Sequence, residues 1–204
     1  MRVDKRALRQ DLRARRKRLT ADAVAAASAA VWAQLRVWPV YATAAAVVGY
    51  LDDENEISTR PILDESGASG RALYLPVDAD GVPALGCWRL GERTRVGRWG
   101  IAEPGGAVTT TVELPGVALV PLVAWDRRGT RLGRGGGFYD RLFVRLDPRI
   151  VRVGLAYEFQ EVPELPRDSW DVSLQYVITE RRIVTCGERC EGQEPSFQKG
   201  GLQV

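Results

Sequence analysis

Residues 121–143 read PLVAWDRRGTRLGRGGGFYDRLF, and the fold can be inferred outward from this stretch. The apolar run Val117–Val123 leads into it and predicts a strand buried on both faces, because it is valine-rich and does not alternate. Four of the five residues Gly133–Gly137 are glycine, and a helical pattern starts at Asp140. A strand, a glycine loop and a helix start present backbone N–H groups and a helix dipole to an anion.

Alternating strand and helix patterns surround this stretch. Asp4 is the predicted cap of a helix over Lys5–Leu19, and Thr20 of an alanine-rich second helix. The other predicted strands are Ala44–Leu51, Arg71–Pro76, an edge strand at Ala84–Leu90, Ile150–Tyr157, Gln175–Thr179 and Arg182–Val184. The alternation predicts a single-domain α/β fold with a mostly parallel sheet and helices on both faces. We expect this domain to span residues 1–187, followed by a polar, disordered tail over 188–204.

Composition excludes several kinds of chemistry. The 204 residues contain no histidine, and the three cysteines form no metal-ligand pattern, which argues against a transition-metal site and a histidine base. Residues 1–19 hold nine basic and two acidic residues, although the net charge of the whole chain is only +3. This basic arm indicates an anionic partner or a solvated helix face. No apolar run is long enough to span a membrane and no signal peptide is visible, so we expect a cytoplasmic protein.

The candidate site lies where the strands end. The acidic loop Asp52–Glu56 follows the first predicted strand, and ligands of open α/β sheets bind at such ends. The glycine loop matches neither the P-loop nor the dinucleotide-binding pattern. Arg131 and Arg134 lie beside and among the glycines, so guanidinium and backbone can both approach an oxyanion. Asp140 is suited either to the helix dipole or to Mg²⁺ beside phosphates.

Several segments together resemble the 5-formyltetrahydrofolate cyclo-ligase family, also called methenyltetrahydrofolate synthetases. The specific one is the run from Arg131 to Asp140. Weaker matches, in the family's order along the chain, are Lys5-x-x-Leu8-Arg9, Glu54-x-Glu56-Ile57-x-Thr59, Gly100-Ile101-x-Glu103-Pro104, Leu165-Pro166 through Trp170-Asp171, and Val177-x-Thr179-Glu180. The resemblance covers roughly residues 5–184.

The resemblance implies an ATP-dependent ligase that closes 5-formyltetrahydrofolate to 5,10-methenyltetrahydrofolate and releases ADP and phosphate. We therefore expect a fold like that of the NagB/RpiA/CoA transferases and the cofactors ATP and Mg²⁺. The expected substrate is 5-formyltetrahydrofolate, with or without a polyglutamyl tail. We expect the chain to be a monomer that binds neither nucleic acid nor a membrane. Phosphoryl transfer to the formyl oxygen needs positioning and charge neutralisation more than a nucleophile or a base.

The resemblance also implies roles residue by residue. The ATP-binding positions are Lys5, Arg9, Arg131, Leu132, Gly133, Arg134, Gly135, Gly136, Gly137, Phe138 and Tyr139, of which Arg134 and Tyr139 are the catalytic pair. The folate-binding positions are Leu51, Glu56, Trp99, Arg134, Gly135, Gly136, Gly137 and Phe138, and the Mg²⁺ positions are Asp140 and Asp171. Plainer roles stay open at this point: solvated charges for Lys5 and Arg9, a loop acid for Glu56, a core lid for Trp99 and a loop cap for Asp171.

Two other functions compete with the cyclo-ligase. A paralogue could keep the ATP loop but act on a different small molecule, and its only support is Trp170, where many relatives carry histidine. A nucleic-acid-binding module could use the basic arm, but no aromatic residues interleave with its charges and no binding motif is present. The remaining basic arm residues, Arg13, Arg15, Arg16, Lys17 and Arg18, are expected to form a solvated helix face.

Overall fold

The computed structural model describes residues 3–89, 91–97 and 102–187. Its helices are α1 (Lys5–Lys17), α2 (Ala21–Leu35), α3 (Pro39–Ala42), α4 (Arg60–Ala68) and α5 (Phe138–Phe143), with a 3₁₀ turn at Glu158–Gln160. Its strands are β1 (Ala46–Val48), β2 (Ala72–Ala79), β3 (Val82–Trp88), β4 (Thr94–Val96), β5 (Ala102–Pro104), β6 (Val108–Thr109), β7 (Gly116–Pro121), β8 (Ala124–Trp125), β9 (Arg131–Leu132), β10 (Val151–Leu155), β11 (Tyr176–Ile178) and β12 (Ile183–Thr185). The predicted tail at 188–204 lies outside the described residues.

One eight-stranded sheet organises the fold. Its strand order is β12-β11-β10-β7-β1-β2-β3-β6. The five strands from β11 to β2 run parallel. At the two sides of the sheet, β12 is antiparallel to β11, β3 to β2, and β6 to β3. The predicted α/β fold with a mostly parallel sheet is confirmed. The prediction of an edge position for β3 is wrong, because β2 and β6 pair with its two sides.

The central strand β7 is buried on both faces, as its sequence predicts. Val117 and Leu119 pack with β1 and with helices α2, α3 and α4 on one face. Ala118 and Val120 pack on the other face with residues of and around α5. Because every side chain of these strands meets apolar neighbours, the strands carry continuous apolar runs rather than alternating ones.

The N-terminal helices begin where the sequence predicts. The Asp4 carboxylate accepts hydrogen bonds from the N–H groups of Arg6 and Ala7, and the Thr20 hydroxyl accepts one from Ala23. Leu12 of α1 packs in a small cluster with residues of β8 and β9. The basic arm is therefore attached to the segment that leads into the glycine loop. Within the described ranges, no helix is both long and apolar enough to cross a membrane.

Several boundaries differ from the predicted ones. Strand β1 covers only three of the eight residues predicted, and β10 five of eight, because only the residues in register with a neighbouring strand keep ladder geometry. Helix α5 begins at Phe138, two residues before the predicted start, since Gly137 supplies the left-handed turn that precedes it.

Candidate active site

A cavity of about 830 Å³ lies at the carboxyl ends of β1 and β7. It is lined by the glycine loop, by the acidic loop and by the first turns of α1, which come from distant parts of the chain. The predicted residues that line it are Lys5, Arg9, Leu51, Glu56, Arg131, Leu132, Gly133, Arg134, Gly135, Gly136, Gly137, Phe138, Tyr139, Asp140 and Asp171. Trp99, also predicted to contact substrate, lies outside the described residues. All the other predicted site residues therefore share one cavity.

The four loop glycines serve two different needs. Gly135 and Gly137 have φ values of +110° and +61°, which L side chains rarely adopt. A Cβ at Gly133 or Gly136 would instead meet no atom within 4 Å. The first pair allows the turn into α5. The second pair leaves the backbone open to the cavity, so a ligand can approach its N–H groups closely.

Helix α1, which forms most of the basic arm, contacts the glycine loop. The Nε of Arg9 donates a 2.9 Å hydrogen bond to the carbonyl oxygen of Gly133. Lys5 forms a 2.9 Å ion pair with Asp168 of the segment 165–171, which we call the late loop. Both side chains line the cavity, so their spacing of four residues places two cations beside the glycine loop.

Arg134 joins the glycine loop to the acidic loop. Its guanidinium contacts the carboxylates of Asp53 at 2.9 Å and Glu56 at 3.1 Å. Glu56 is only 5% exposed, and its second oxygen accepts the N–H of Asp53. Burial raises the pKa of Glu56, although Arg134 and Arg16 oppose that shift. For Arg134, burial lowers the pKa, but the two carboxylates outweigh burial and the net pKa is raised.

Arg16 is buried, so the prediction of a solvated face is wrong for this residue. It is 1% exposed, and its guanidinium lies 3.5 Å from Glu56 and 3.7 Å from Glu54. It also donates to the backbone carbonyls of Glu54 and Leu122. Its position four residues after Leu12 puts it on the buried side of α1, and this spacing is the signal that would have identified it.

The neighbouring arm cations are also paired. Arg13 and Lys17 contact the Glu54 carboxylate at 2.7 Å and 2.8 Å. Their hydrogen bonds, that of Arg13 first, lower the pKa of Glu54 to about 2. Arg15 stacks over the Phe159 ring, with its guanidinium carbon 4.3 Å from the ring centroid. Much of the arm's charge is thus directed at the acidic loop of the same molecule.

The predicted metal residues form an incomplete ligand set. Asp140 forms a 2.6 Å ion pair with Arg131, and the same oxygen accepts the N–H of Val172. Arg131 also donates to the Val172 carbonyl. The Asp171 carboxylate accepts the N–H of Asp168, which is the loop-cap role. In the described part of the chain, no group of three or more histidine, cysteine or acidic residues could hold a metal. These donors fit Mg²⁺ only if phosphate oxygens or water complete its shell.

Aromatic side chains form another part of the cavity wall. Phe138 and Tyr139 contact edge to face, with ring centroids 5.6 Å apart. Burial raises the pKa of Tyr139 well above its ordinary value, so its hydroxyl keeps its proton and is available as a donor. Trp170 lines the cavity and is 69% exposed. A flat ring entering here would meet an aromatic surface at both places.

Sequence reasoning assigned no role to four residues of this site. Asp53 and Arg16 hold Arg134 and Glu56, Asp168 pairs with Lys5, and Glu103 is a buried carboxylate in the wall. Asp53 lies in the acidic loop that was singled out, and Glu103 lies in a motif that was quoted. No pattern in the sequence indicated Asp168, because its partner is 163 residues away.

Comparisons with known proteins relate this chain to one group of enzymes. The sequence model of the 5-formyltetrahydrofolate cyclo-ligase family matches residues 1–180. The 5-formyltetrahydrofolate cyclo-ligase of Escherichia coli K12 is 31% identical over 179 residues, which cover 84% of this chain and 98% of that protein. The Haemophilus influenzae protein of the same name is 35% identical over 134 residues, 61% of this chain and 70% of the relative. The solved structure of Aquifex aeolicus 5,10-methenyltetrahydrofolate synthetase superimposes with a TM-score of 0.77 at 28% identity, covering 95% and 98% of the two chains.

Proposed function

The chain belongs to the 5-formyltetrahydrofolate cyclo-ligase family, and we propose that its large cavity holds ATP and 5-formyltetrahydrofolate side by side. It is an enzyme that catalyses the reaction of this family, the ATP-dependent conversion of 5-formyltetrahydrofolate to 5,10-methenyltetrahydrofolate. The observation that carries the proposal is the Arg134 guanidinium, which spans from the glycine loop to Glu56 and Asp53 of the acidic loop. One charged group therefore borders both halves of the cavity.

The ATP half is the glycine loop with the basic arm. The open positions at Gly133 and Gly136 let phosphates approach the backbone N–H groups. Lys5 and Arg9 supply positive charge from α1, already oriented by Asp168 and by the Gly133 carbonyl. Fixed donors of this kind stabilise the charge that develops on a transferring phosphoryl group without reorganisation.

The folate half is the acidic loop and its apolar surroundings. Glu56 would accept hydrogen bonds from the N–H edge of the pterin ring, while Leu51 and Phe138 border the ring. Glu56 forms ion pairs with Arg134 and Arg16. Pterin binding would take over part of Glu56 and free Arg134 to turn toward the phosphate.

The chemistry needs no protein nucleophile. The formyl oxygen attacks the γ-phosphorus and the bond to ADP breaks. N10 of the folate then attacks the activated formyl carbon, and phosphate leaves with the formyl oxygen and with the proton that N10 loses as the ring closes. Arg134 is suited to neutralise charge on the transferring group, and the Tyr139 hydroxyl to donate a hydrogen bond to it.

Asp140 and Asp171 would hold Mg²⁺ together with the ATP phosphates. The ion would supply charge neutralisation for the phosphates. Arg131 keeps one Asp140 oxygen occupied, so the second oxygen is the one available for the metal. That use of Asp140 is compatible with the pairing described above, whereas Asp171 would retain its bond to the Asp168 N–H.

A direct assay tests the function. Purified protein, 5-formyltetrahydrofolate and Mg-ATP should give the near-ultraviolet absorbance of the methenyl product, and omission of ATP should abolish it. We expect Arg134→Ala to lower turnover by about a hundredfold or more, as for loss of a donor to a developing anion. Arg149→Gln is the matched control, because Arg149 is an exposed cation that pairs, among the described residues, only with Asp147. No product from folded wild-type protein would refute the proposal.

Further expectations accompany this function. We propose that the chain acts as a cytoplasmic monomer, that its substrate can carry a polyglutamyl tail, and that it binds neither nucleic acid nor a membrane. Arg13, Arg16 and Lys17 pair with Glu54 and Glu56. This pairing supports the proposal that the chain does not bind nucleic acid, since these arm cations are already neutralised within the molecule. Sedimentation of the purified protein measures its oligomeric state.

A further inference from the structure

A second cavity of about 540 Å³ lies outside the active site and shares no lining residue with it. It is formed by the β8–β9 turn, by β10, by Arg167, by the segment before β11 and by the segment after β12. Arg128, Arg152 and Arg167 all line it. Three arginines around one cavity are not explained by the proposed reaction.

The positive charge of this cavity is only partly matched by acids. Arg128 contacts both nearby carboxylates, Asp126 at 3.2 Å and Glu164 at 2.9 Å. Among the described residues, Arg152 and Arg167 contact no acid and donate only to backbone carbonyls. Burial, and then repulsion from Arg131, lowers the pKa of Arg152. Two guanidinium groups therefore border the cavity without a counterion from the described part of the chain.

Two hydroxyl groups at the cavity also have no partner. Thr130 is 3% exposed, and its Oγ1 forms no hydrogen bond within the described structure; the same holds for Ser173 Oγ. Such groups are costly to bury unless something satisfies them. The remaining titratable group is the Cys186 thiol, whose pKa is raised to about 12 by burial and then by Asp126, so it stays neutral. No negative charge on this thiol would oppose an anion.

We propose that this cavity is a binding site for a phosphate group. Arginine guanidinium groups bind phosphate oxygens through paired N–H donors. The Thr130 and Ser173 hydroxyls are buried and would have to rotate toward the cavity to donate to the remaining oxygens. The shared chemistry is a tetrahedral dianion, which can come from free phosphate or from a phosphate monoester. The site stands independently of the proposed function, since none of its residues lines the catalytic cavity.

The segment 172–174 connects the two cavities. The backbone of Val172 bonds to Arg131 and Asp140 of the active site. The next residue, Ser173, lines the second cavity and accepts a 2.9 Å hydrogen bond from Arg152. Phosphate bound at Arg152 would therefore contact the same segment that orients the Arg131–Asp140 pair.

Calorimetric titration of the full chain with inorganic phosphate, in a buffer free of other oxyanions, tests the site. We expect saturable binding that is weakened at least tenfold by Arg152→Gln and by Arg167→Gln. Arg167 is exposed, so the second variant reports on the site even if the first fails to fold. Arg149→Gln, a cation outside the cavity, and Arg134→Gln, in the catalytic cavity, should keep this binding.

Parallel titrations with ribose 5-phosphate and with glutarate identify the source and the class of ligand. Tighter binding of the monoester would assign the site to phosphorylated small molecules, and tighter binding of inorganic phosphate to the free ion. Tighter binding of glutarate than of either would overturn the choice of phosphate. Absence of saturable binding, or binding unchanged in both Arg152→Gln and Arg167→Gln, would overturn the site itself.

Discussion

Single residues of the active site are held by charged partners. Arg134 neutralises Glu56 and Asp53, so the buried Glu56 carboxylate has a counterion within the protein. Arg16, which is almost completely buried, lies beside the same carboxylate. We expect the affinity for each proposed substrate to depend on how tightly these residues hold one another.

Glu56→Gln tests this competition. Folate should bind roughly tenfold more weakly, because a hydrogen bond to a charged group contributes about 1.5–3 kcal/mol. A non-hydrolysable ATP analogue should bind more tightly than to wild type in the absence of folate, since Arg134 loses one of its two acid partners. Calorimetry of each ligand alone measures both effects. Weaker binding of the ATP analogue would contradict the competition.

At the scale of elements, the glycine loop depends on two of its four glycines for its shape. Gly135→Ala should lower the free energy of unfolding by about 1–3 kcal/mol, because its φ of +110° is sparsely populated by alanine. Gly136→Ala is the matched change, since an added Cβ there meets nothing within 4 Å. It should leave stability within about 0.5 kcal/mol. Urea unfolding followed by circular dichroism compares the two; equal losses would rule out this division of roles.

The contact between α1 and the acidic loop should depend on pH. Hydrogen bonds from Arg13 and then Lys17 lower the pKa of Glu54 from an ordinary 4.5 to about 2 in the folded protein. A depressed folded pKa gives stabilisation that is present above about pH 4.5 and is lost as the pH falls toward 2. Glu54→Gln should therefore destabilise the protein at pH 6, and the difference from wild type should shrink below pH 4.5.

Urea unfolding of both proteins between pH 6 and pH 2.5 measures that difference. The comparison is between the two proteins at each pH, so acid effects common to both cancel. A difference in unfolding free energy that stays constant, or that grows as the pH falls, would show that the Glu54 ion pairs do not stabilise the contact.

For the molecule as a whole, stability rests on a sheet that is covered on both sides. Leu119 of β7 is fully buried beneath the helices of one face. Leu119→Ala should cost about 2–5 kcal/mol of unfolding free energy, through lost transfer energy and the cavity left behind. Val37→Ala is the surface comparison, because Val37 is 69% exposed, and it should change stability by less than about 0.5 kcal/mol. Thermal or urea unfolding distinguishes them.

Patterns along the chain predicted most of the architecture and the site residues. The apolar runs identified the parallel strands, because strands covered on both faces must be apolar throughout. The glycine loop and the acidic loop indicated the cavity, since both follow strands at the same edge of the sheet. Strand ends were less accurate, because the length of a strand depends on its neighbours in the sheet. The fate of the arm's charges was mispredicted at Arg16 for a similar reason.

The sequence by itself determined the fold class, the family and many of the residues that line the cavity, because these show in patterns along the chain. Only the tertiary structure decided which charged side chains form ion pairs and which are buried. Arg16 is buried because α1 packs over the acidic loop, and Lys5 meets Asp168 across 163 residues. Charge pairing and burial depend on distance in space, which residue spacing along the chain does not fix. The glycine loop is completed in the same way, by contributions from α1, the acidic loop and the late loop.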